Sequence, residues 1–347
     1  MPGAGGKTMT VPDATKFFNL TCGDNSAGGI VTIVGTPYIY GTFTADRYNP
    51  DRNGQLGISG TTTPVVSNGA TFADIDTFVY QAGSGNTTTA TATTYKTLRP
   101  SNSTPVLLGG VTTATAVQLD GGTSLTTQGH NLTTKTVSNS GTLTLSADTT
   151  LTFTDASGSG FGSSAGTLVS AGTEDDPNTI TVSGTPTNYW NFHDHAMTIT
   201  ADHTTFEKFH RYESGSGTID IDNCTMQTSV SGYYNWTIEA GATITRFTNN
   251  TINVTGNYGF QCNKTHTAFD NITVTSSGDY SVISTGGRLE FTNSNFSIGN
   301  VSLSSSSSHV ISKTHNDTEN LYEMVLGSGA LTYSTITNAF GADADVK

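Results

Sequence analysis

The chain has 347 residues, with 14 Lys and Arg against 27 Asp and Glu, and a formal net charge of −13. An acidic chain without a polybasic patch excludes nucleic acid as the expected partner, because phosphate binding needs clustered Lys and Arg. Charged residues make up only 12% of the chain, and Thr, Ser, Gly and Asn are abundant. This composition predicts a β-rich chain with a neutral polar surface. No apolar run approaches the ~18 residues of a membrane helix, so membrane insertion is not expected.

The N-terminal segment, MPGAGGKTMTVPDATKFF, lacks the apolar core of a secretory signal. A surface-type composition without a leader fits a mature form whose leader has been removed. It also fits a virus-particle protein, which leaves its host by lysis. Cys22, Cys224 and Cys262 have no metal-binding spacing, and they allow one disulfide but no disulfide framework.

Residues 1–97 are predicted to form a small separate β domain for attachment or capping. Its expected strands lie in the segments GIVTIVG, TPYIYGTFTA and DTFVYQAG. The segment LRPSNSTP at 98–105 contains two prolines and several turn-forming residues, so we predict a linker there. Residues 106–340 are predicted to form the main β domain, with early strand signals in GTLTLSADTTLTF and NTITVSG. Residues 341–347 form a polar tail.

One candidate cation site lies in the N-terminal domain. Asn49, Asp51 and Asn53 place oxygen ligands at alternate positions before a glycine, as at the start of a calcium loop. The closing Glu of such a loop is missing, because the twelfth position is Gly60. An Asx-rich turn is therefore the favoured interpretation. No cofactor is expected, with calcium or another divalent cation as the alternative.

A second candidate metal site is the His-x-His pair formed by His193 and His195. On a strand, residues i and i+2 share a face, so both imidazoles could bind one metal. His203 and His210 lie nearby in the sequence. A hydrogen-bonded structural cluster is the favoured interpretation.

A six-residue pattern recurs in the second half of the chain, in the order apolar, polar, Asn, any residue, Thr, apolar. The final residues of the five hexads are separated by 20, 26, 22 and 22 positions. Such a period predicts a stacked solenoid, and the alternation before each hexad predicts strands. We expect the third position to be a sharp corner, where Asn tolerates left-handed backbone and its amide reaches the Asn one coil away. The hexads are ADHTTF (201–206), IDNCTM (221–226), FTNNTI (247–252), FDNITV (269–274) and FTNSNF (291–296), and the predicted ladder is His203, Asn223, Asn249, Asn271 and Asn293.

A second set of residues supports the same period. Aromatic residues recur at intervals of 22, 22, 24 and 22 positions. Their partners two residues later, such as Trp236 and Phe260, are expected to face the core. Stacked core aromatics are the favoured interpretation, with a sugar-stacking platform as the alternative. The predicted aromatic column is Trp190, Tyr212, Tyr234, Tyr258 and Tyr280.

These features predict an all-β chain: a parallel β-helix of about 22 residues per coil, preceded by the small N-terminal domain. Residues 186–300 resemble right-handed parallel β-helix proteins of the pectate-lyase-like class, whose hallmark is an asparagine ladder at a tight turn. The segment HNLTTKTVSNSGTLTLSADTTLTF resembles surface-exposed and viral β-helices. This resemblance implies a homotrimer. Some phage spikes use His-x-His from three chains to bind iron, although there the motif lies at the needle tip and here it is mid-chain.

Asp202 and Asp222 are the candidate catalytic residues, since both occupy the second hexad position. Stacked carboxylates would lie ~5 Å apart, near the separation in retaining glycosidases. Thr248 and Thr292 occupy the same position, so a turn-capping role is favoured. Pectate lyases use clustered Asp with calcium and a catalytic Arg, but the nearby arginines match no motif of that class.

The expected function is that of a virion structural protein: a tail fibre, a spike or a capsid decoration or turret. It would display a rigid β-helix for host attachment, contact other virion proteins through the N-terminal domain, and bind host surface polysaccharide. The location would be the virion or the extracellular space. A polysaccharide lyase or glycoside hydrolase is one alternative, and catalysis remains open although it is not favoured. A secreted cellular adhesin or surface-layer component is the other.

Overall fold

The protein is described from a computed structural model, and the described residues consist of strands, turns and bends without a helix. None of these residues belongs to a helix that is long and apolar enough to span a membrane. The described residues are 7–12, 15–22, 30–34, 38–39, 43–45, 55–59, 65–66, 72, 77–81, 86–101, 103, 105–154, 160–161, 165–184, 191–194, 196–208, 211–227, 234–254, 258–276, 280–284, 289–297, 300–303, 309–312, 314–315, 323–326, 331–333, 336–337 and 345–346.

The chain divides into two units, Met1–Phe153 and Thr154–Lys347. The strands of unit 1 are β1 (Lys7–Thr10), β2 (Lys16–Phe17), β3 (Leu20–Cys22), β4 (Ile30–Val34), β5 (Tyr38–Ile39), β6 (Phe43–Ala45), β7 (Gln55–Ser59), β8 (Val65–Val66), β9 (Thr77–Gln81), β10 (Thr88–Ala90), β11 (Thr94–Pro100), β12 (Pro105–Leu108), β13 (Thr112–Leu119), β14 (Ser124–Thr126), β15 (Leu132–Asn139), β16 (Thr142–Leu145) and β17 (Thr150–Phe153).

Within unit 1, parallel strands stack in two main series. One runs in the order β1-β4-β7-β9-β11-β13-β15-β17, and the other in the order β10-β12-β14-β16. Shorter series join β2, β5 and β8, and β3 with β6. Each strand pairs with the strand one coil later, as in the pair of Thr112 with Leu132. Unit 1 is therefore built from coils.

The predicted boundary at 98–105 falls among these paired strands. Leu98 pairs with Phe78 of β9 on one side and with Val117 of β13 on the other. The first residues of the predicted linker therefore belong to β11, and the predicted N-terminal domain contributes β1, β4, β7 and β9 to the same series. A proline can end or begin a strand that belongs to a solenoid, so prolines are compatible with this pairing. The division into an N-terminal domain and a β-helix stays a prediction.

Unit 2 contains the remaining strands: β18 (Thr167–Ala171), β19 (Asn178–Val182), β20 (Asn191–Asp194), β21 (Thr198–Asp202), β22 (Thr204–Glu207), β23 (Arg211–Ser214), β24 (Thr218–Asp222), β25 (Thr225–Gln227), β26 (Tyr234–Ile238), β27 (Thr243–Thr248), β28 (Thr251–Val254), β29 (Tyr258–Cys262), β30 (His266–Asp270), β31 (Thr273–Ser276), β32 (Tyr280–Ser284), β33 (Leu289–Thr292), β34 (Asn295–Ser297), β35 (Asn300–Leu303), β36 (His309–Ser312), β37 (Thr314–His315), β38 (Glu323–Leu326), β39 (Leu331–Tyr333), β40 (Ile336–Thr337) and β41 (Asp345–Val346).

Each coil of unit 2 contributes one strand to each of three parallel stacks. Stack A runs β18-β21-β24-β27-β30-β33-β36-β39, stack B runs β19-β22-β25-β28-β31-β34-β37-β40, and stack C runs β20-β23-β26-β29-β32-β35-β38-β41. The chain follows the order C, A, B and then begins the next coil. A turn takes about 22 residues. The parallel β-solenoid and its period, both predicted from the sequence, are confirmed.

The register explains why the hexads share their last residue type. Phe206 pairs with Met226, which pairs with Ile252, and the series continues through Val274 to Phe296. Residues 20 to 26 positions apart are therefore vertical neighbours. A large apolar residue at this position continues the core from one coil to the next, which is why the position repeats.

Alternation along each strand separates the core from the outer surface. In β24, Ile219 and Ile221 are buried, while Thr218, Asp220 and Asp222 are partly exposed. Successive side chains of a strand point to opposite faces, so this pattern buries one face against the other stacks. The polar face of stack A is therefore directed to the outside, and it carries the candidate site described below.

Large aromatic side chains fill the core of unit 2. Phe247, Phe269 and Phe291 are register neighbours in stack A, and each is at most 1% exposed. The Phe269 and Phe291 rings are stacked with centroids 4.8 Å apart. Phe260 of stack C packs across the core against Phe247 at 5.5 Å. Contacts of this kind add to the energy of area burial.

Candidate functional site

The corner between stacks A and B brings together the five residues of the predicted ladder and the two candidate catalytic aspartates. His203 has a φ of 41°, and the four asparagines of the predicted ladder have φ values of 52° to 53°. This left-handed conformation costs most L-residues roughly 1–2 kcal/mol, and Asn adopts it more readily than others. The requirement for positive φ is therefore the physical reason for Asn at the third hexad position.

The side-chain amides of this corner bond differently from the predicted Asn-to-Asn chain. Only Asn271 donates to another ladder asparagine, through a 2.9 Å bond from Nδ2 to Oδ1 of Asn249. The other three amides donate to an aspartate one coil earlier. These bonds are Asn223 to Asp202 (3.1 Å), Asn249 to Asp222 (2.9 Å) and Asn293 to Asp270 (2.7 Å).

The choice of acceptor follows from the second hexad position. In register, Asp202 pairs with Asp222, then come Thr248, Asp270 and Thr292. We call these five residues the polar row. Where the preceding coil offers a carboxylate, the Asn amide donates to it, because a charged acceptor makes the stronger bond. Where the preceding coil offers Thr248 instead, the amide of Asn271 donates to Asn249, the residue after Thr248.

Arg246 of β27 is the cation of this surface. Its Nε donates to Oδ1 of Asp220 at 2.6 Å, and its Nη1 donates to Oδ2 of Asp222 at 2.9 Å. The hydrogen bond to Asp220 is the largest cause that raises the pKa of Arg246 above its ordinary value, while burial opposes it. One guanidinium thus links two carboxylates that lie two residues apart on the previous coil.

A bulge in β27 places Arg246 in this position. Ile219 pairs with Ile244 but Asp220 pairs with Arg246, so Thr245 is an extra residue in β27. A bulge redirects the side chain that follows it. Without the bulge, Thr245 would face Asp220 and the guanidinium would lie one position further along the strand.

The two candidate catalytic aspartates lie on this surface as register neighbours. Asp202 accepts a bond from Asn223 and contacts Nδ1 of His203 at 2.8 Å, with 39% of its side chain exposed. Asp222 is 14% exposed and accepts bonds from Arg246, Thr248 and Asn249. Three donors, one of them a guanidinium, converge on the side-chain oxygens of Asp222. Asp222 is therefore arranged as an acceptor, and Asp202 is the more accessible of the two.

A second set of corner residues was not recognised in the sequence. The fourth hexad residues are all buried, and they are Thr204, Cys224, Asn250, Ile272 and Ser294. The side chain of Asn250 accepts a bond from the Cys224 amide at 2.9 Å, and the Ser294 hydroxyl accepts one from the Ile272 amide at 3.2 Å. Four of the five side chains at this variable position are small or amides, and such residues next to the corner are the signal that could have identified this inner set.

The predicted aromatic column is split by the register. Tyr212 pairs with Trp236, and Tyr234 pairs with Tyr258, which pairs with Tyr280. Trp236 and Phe260 are buried at 2% and 1% exposure, as expected for their core-facing positions. A shift of two residues keeps a side chain on the same face of a strand. The sequence pattern could therefore not distinguish Tyr234 from Trp236 as the neighbour of Tyr212.

Some of the candidate residues lie outside the described part of the chain, and His193 is described by its backbone alone. Trp190, His195 and the three candidate cation ligands Asn49, Asp51 and Asn53 lie outside the described residues. His193 lies in β20, where its backbone pairs with Glu213 of β23. Among the described residues, no group of three or more His, Cys, Asp or Glu side chains could hold a metal ion.

Cys224 and Cys262 are free and buried. Burial is the largest cause that raises the pKa of both thiols to about 12. Each thiol also donates weakly to a backbone carbonyl two residues away, Cys224 to Asp222 and Cys262 to Lys264. Buried thiols of this kind are structural rather than reactive.

The strand register and the corner define the class of protein, a parallel β-solenoid with an asparagine corner. Comparisons with protein-family models, with curated proteins and with solved structures find no match.

Proposed function

We propose that the chain is a structural protein of a virus particle, a tail fibre, spike or capsid decoration that displays a rigid β-solenoid to the host surface. The observation that carries the proposal is the corner between stacks A and B, where side chains of successive coils are joined by hydrogen bonds. These side-chain hydrogen bonds connect the coils in addition to the backbone hydrogen bonds of the parallel strands. A solenoid joined in this way resists shear and proteolysis, because the opening of any coil breaks backbone and side-chain hydrogen bonds to the coils on both sides.

The ligand that suits such a surface is a polysaccharide of the host. The polar row and the ladder asparagines offer hydroxyl, amide and carboxylate groups at intervals of one coil, ~4.8 Å. Sugar hydroxyl groups both donate and accept hydrogen bonds, so they match this mixture of groups. The proposal includes a homotrimer and contacts with other virion proteins, for which the resemblance to viral β-helices is the support.

Mass spectrometry of purified particles tests this function. We expect peptides of the chain to co-purify with intact virions through a density gradient, at a constant ratio to a capsid protein. The control is a parallel gradient of a lysate without particles. Particles that retain infectivity and lack the chain would contradict the proposal.

A second candidate function is cleavage of a polysaccharide, and the arrangement of Asp202, Asp222 and Arg246 on an accessible face favours it. Under this alternative, Asp202 is the more exposed carboxylate and the better candidate for contact with a sugar. The experiment is an assay for reducing ends or unsaturated products from host surface polysaccharide. Asp202→Asn should abolish product release, with Gln227→Ala as a matched exposed control in stack B. Equal activity in both variants would remove Asp202 from consideration.

A further inference from the structure

The first residue of β30 is a histidine that lies in the core. His266 is 9% exposed, and its ring centroid is 4.4 Å from that of Phe269, with the rings at 71°. Its Nε2 has no hydrogen-bond partner among the described residues. A backbone hydrogen bond with Ala268 opposes the lowering of the His266 pKa by burial. In this environment, protonation of Nε2 would create a buried N–H without an acceptor.

The backbone around His266 is irregular. His266 pairs with Leu289, but Phe269 pairs with Phe291, so β30 holds one more residue than β33 between these pairs. A bulge interrupts the regular ladder of hydrogen bonds. This part of the coil therefore depends on side-chain packing, and the register neighbours of His266 and Phe269 in β33 are the buried residues Leu289 and Phe291.

Charged groups of the neighbouring strands are directed away from the imidazole. Arg246 of β27 is bonded to the two aspartates of β24 on the outer face. Glu290 of β33 is partly exposed between buried Leu289 and Phe291, so it lies on the outer face as well. On β30 itself, Asp270 accepts a bond from the corner residue Asn293.

The Cys262 thiol at the end of β29 is a buried titratable group, and it is uncharged because burial raises its pKa to about 12. The shift of the His266 pKa has no contribution from a charged group, since its causes are burial and the Ala268 backbone. Among the described residues, a protonated His266 would therefore face no compensating carboxylate.

The ring contact with Phe269 does not compensate for the cost of a buried positive charge on His266. A desolvated cation gains from contact with an aromatic face. An ion that is moved from water into the interior loses more than this contact returns, even after relaxation. The net effect of protonation is consequently unfavourable for the closed coil.

We propose that His266 is an acid-sensitive element of unit 2, and that its protonation in mildly acidic solution opens the coil that contains β30. In the closed coil the imidazole is neutral and packed against Phe269. In an opened coil the ring reaches water and takes up a proton freely. The inference concerns the solenoid itself and does not depend on the proposed function.

The direction of the pH dependence follows from linkage. Burial, opposed by the Ala268 backbone bond, lowers the pKa of His266 in the closed coil, whereas the exposed ring titrates near ~6.5. The opened state therefore binds the proton more readily, and stability falls as the pH decreases below that value. Above it, His266 is neutral in both states and contributes no pH dependence.

Hydrogen exchange on the full chain tests the proposal. The opening equilibrium constant of β30 and β33 peptides is compared at about pH 7.5 and about pH 5, after correction for intrinsic exchange. For the wild type we expect a rise of about tenfold per pH unit between the two pKa values. His266→Leu should remove most of this rise. His130→Gln is the matched control, because His130 is a partly exposed turn residue of unit 1 that lies outside the candidate site, and this variant should show the same rise as the wild type.

The same acid response in His266→Leu and in the wild type would overturn the proposal. A direct measurement covers the case in which the variant does not fold. Titration of the His266 ring in the wild type by NMR should give a midpoint below that of an exposed histidine. A midpoint at or above ~6.5 would equally overturn the proposal.

Discussion

At the residue scale, the positive φ at the corner limits which side chains the third hexad position accepts. Asn249 has a φ of 53° and donates to Asp222. Asn249→Gly removes the hydrogen bonds but tolerates the backbone, whereas Asn249→Ala also incurs the left-handed penalty. We expect the alanine variant to be less stable than the glycine variant by about 1 kcal/mol in urea unfolding. Gln227→Ala, at an exposed strand position, is the control. Equal stabilities of the Gly and Ala variants would mean that φ is not the limiting factor.

Arg246 contributes to stability through its charge rather than through its backbone conformation. Its guanidinium is 38% exposed, so solvent reduces the value of its two ion pairs. We expect Arg246→Gln to lower the free energy of unfolding by about 1 kcal/mol at low salt. The loss should shrink at ~1 M salt, where the screening length falls to ~3 Å. Unfolding in urea at low salt and at ~1 M salt measures the loss of unfolding free energy under both conditions. A loss that is independent of salt would indicate a packing role instead.

At the element scale, the stack of strands depends on the aromatic core that it encloses. Phe269 of β30 is fully buried and contacts Phe247 at 5.6 Å and Phe291 at 4.8 Å, in the two adjacent strands. Phe269→Ala removes these contacts and leaves a cavity, at an expected cost of about 3–5 kcal/mol. Phe269→Leu keeps most of the volume and should cost about 1–2 kcal/mol. Thermal unfolding of the two variants ranks them, and the reverse order would contradict the packing described for β30.

At the scale of unit 2, each coil contacts mainly the coils before and after it. Local damage should therefore remain local, as in other repeat architectures. Cys262 lies in the same coil as Phe269, and Cys224 lies two coils earlier. In the Phe269→Ala variant, we expect native-state alkylation to accelerate more at Cys262 than at Cys224. Burial raises the pKa of both thiols to about 12, so labelling reports opening. Equal acceleration at the two thiols would show that unit 2 opens as one body.

The sequence by itself determined the period, the strand faces and the corner of the solenoid. These features depend on local requirements that each residue must satisfy alone: an apolar side chain at every core position, alternation along a strand and tolerance of positive φ at Asn223, Asn249, Asn271 and Asn293. Because the requirement recurs once per coil, it is visible as a repeat. The candidate aspartates were identified in the same way, from their shared hexad position.

Only the tertiary structure decided which residues of successive coils are hydrogen-bond partners and which are register neighbours. The acceptor of each ladder amide depends on the residue one coil earlier, and Arg246 reaches Asp220 because of a one-residue bulge. The neighbour of Tyr212 is Trp236 rather than Tyr234, because this coil is two residues longer than 22, a difference that leaves the strand face unchanged. Coil length varies without a change in the repeated pattern, so the register between coils is known only once the strands are paired.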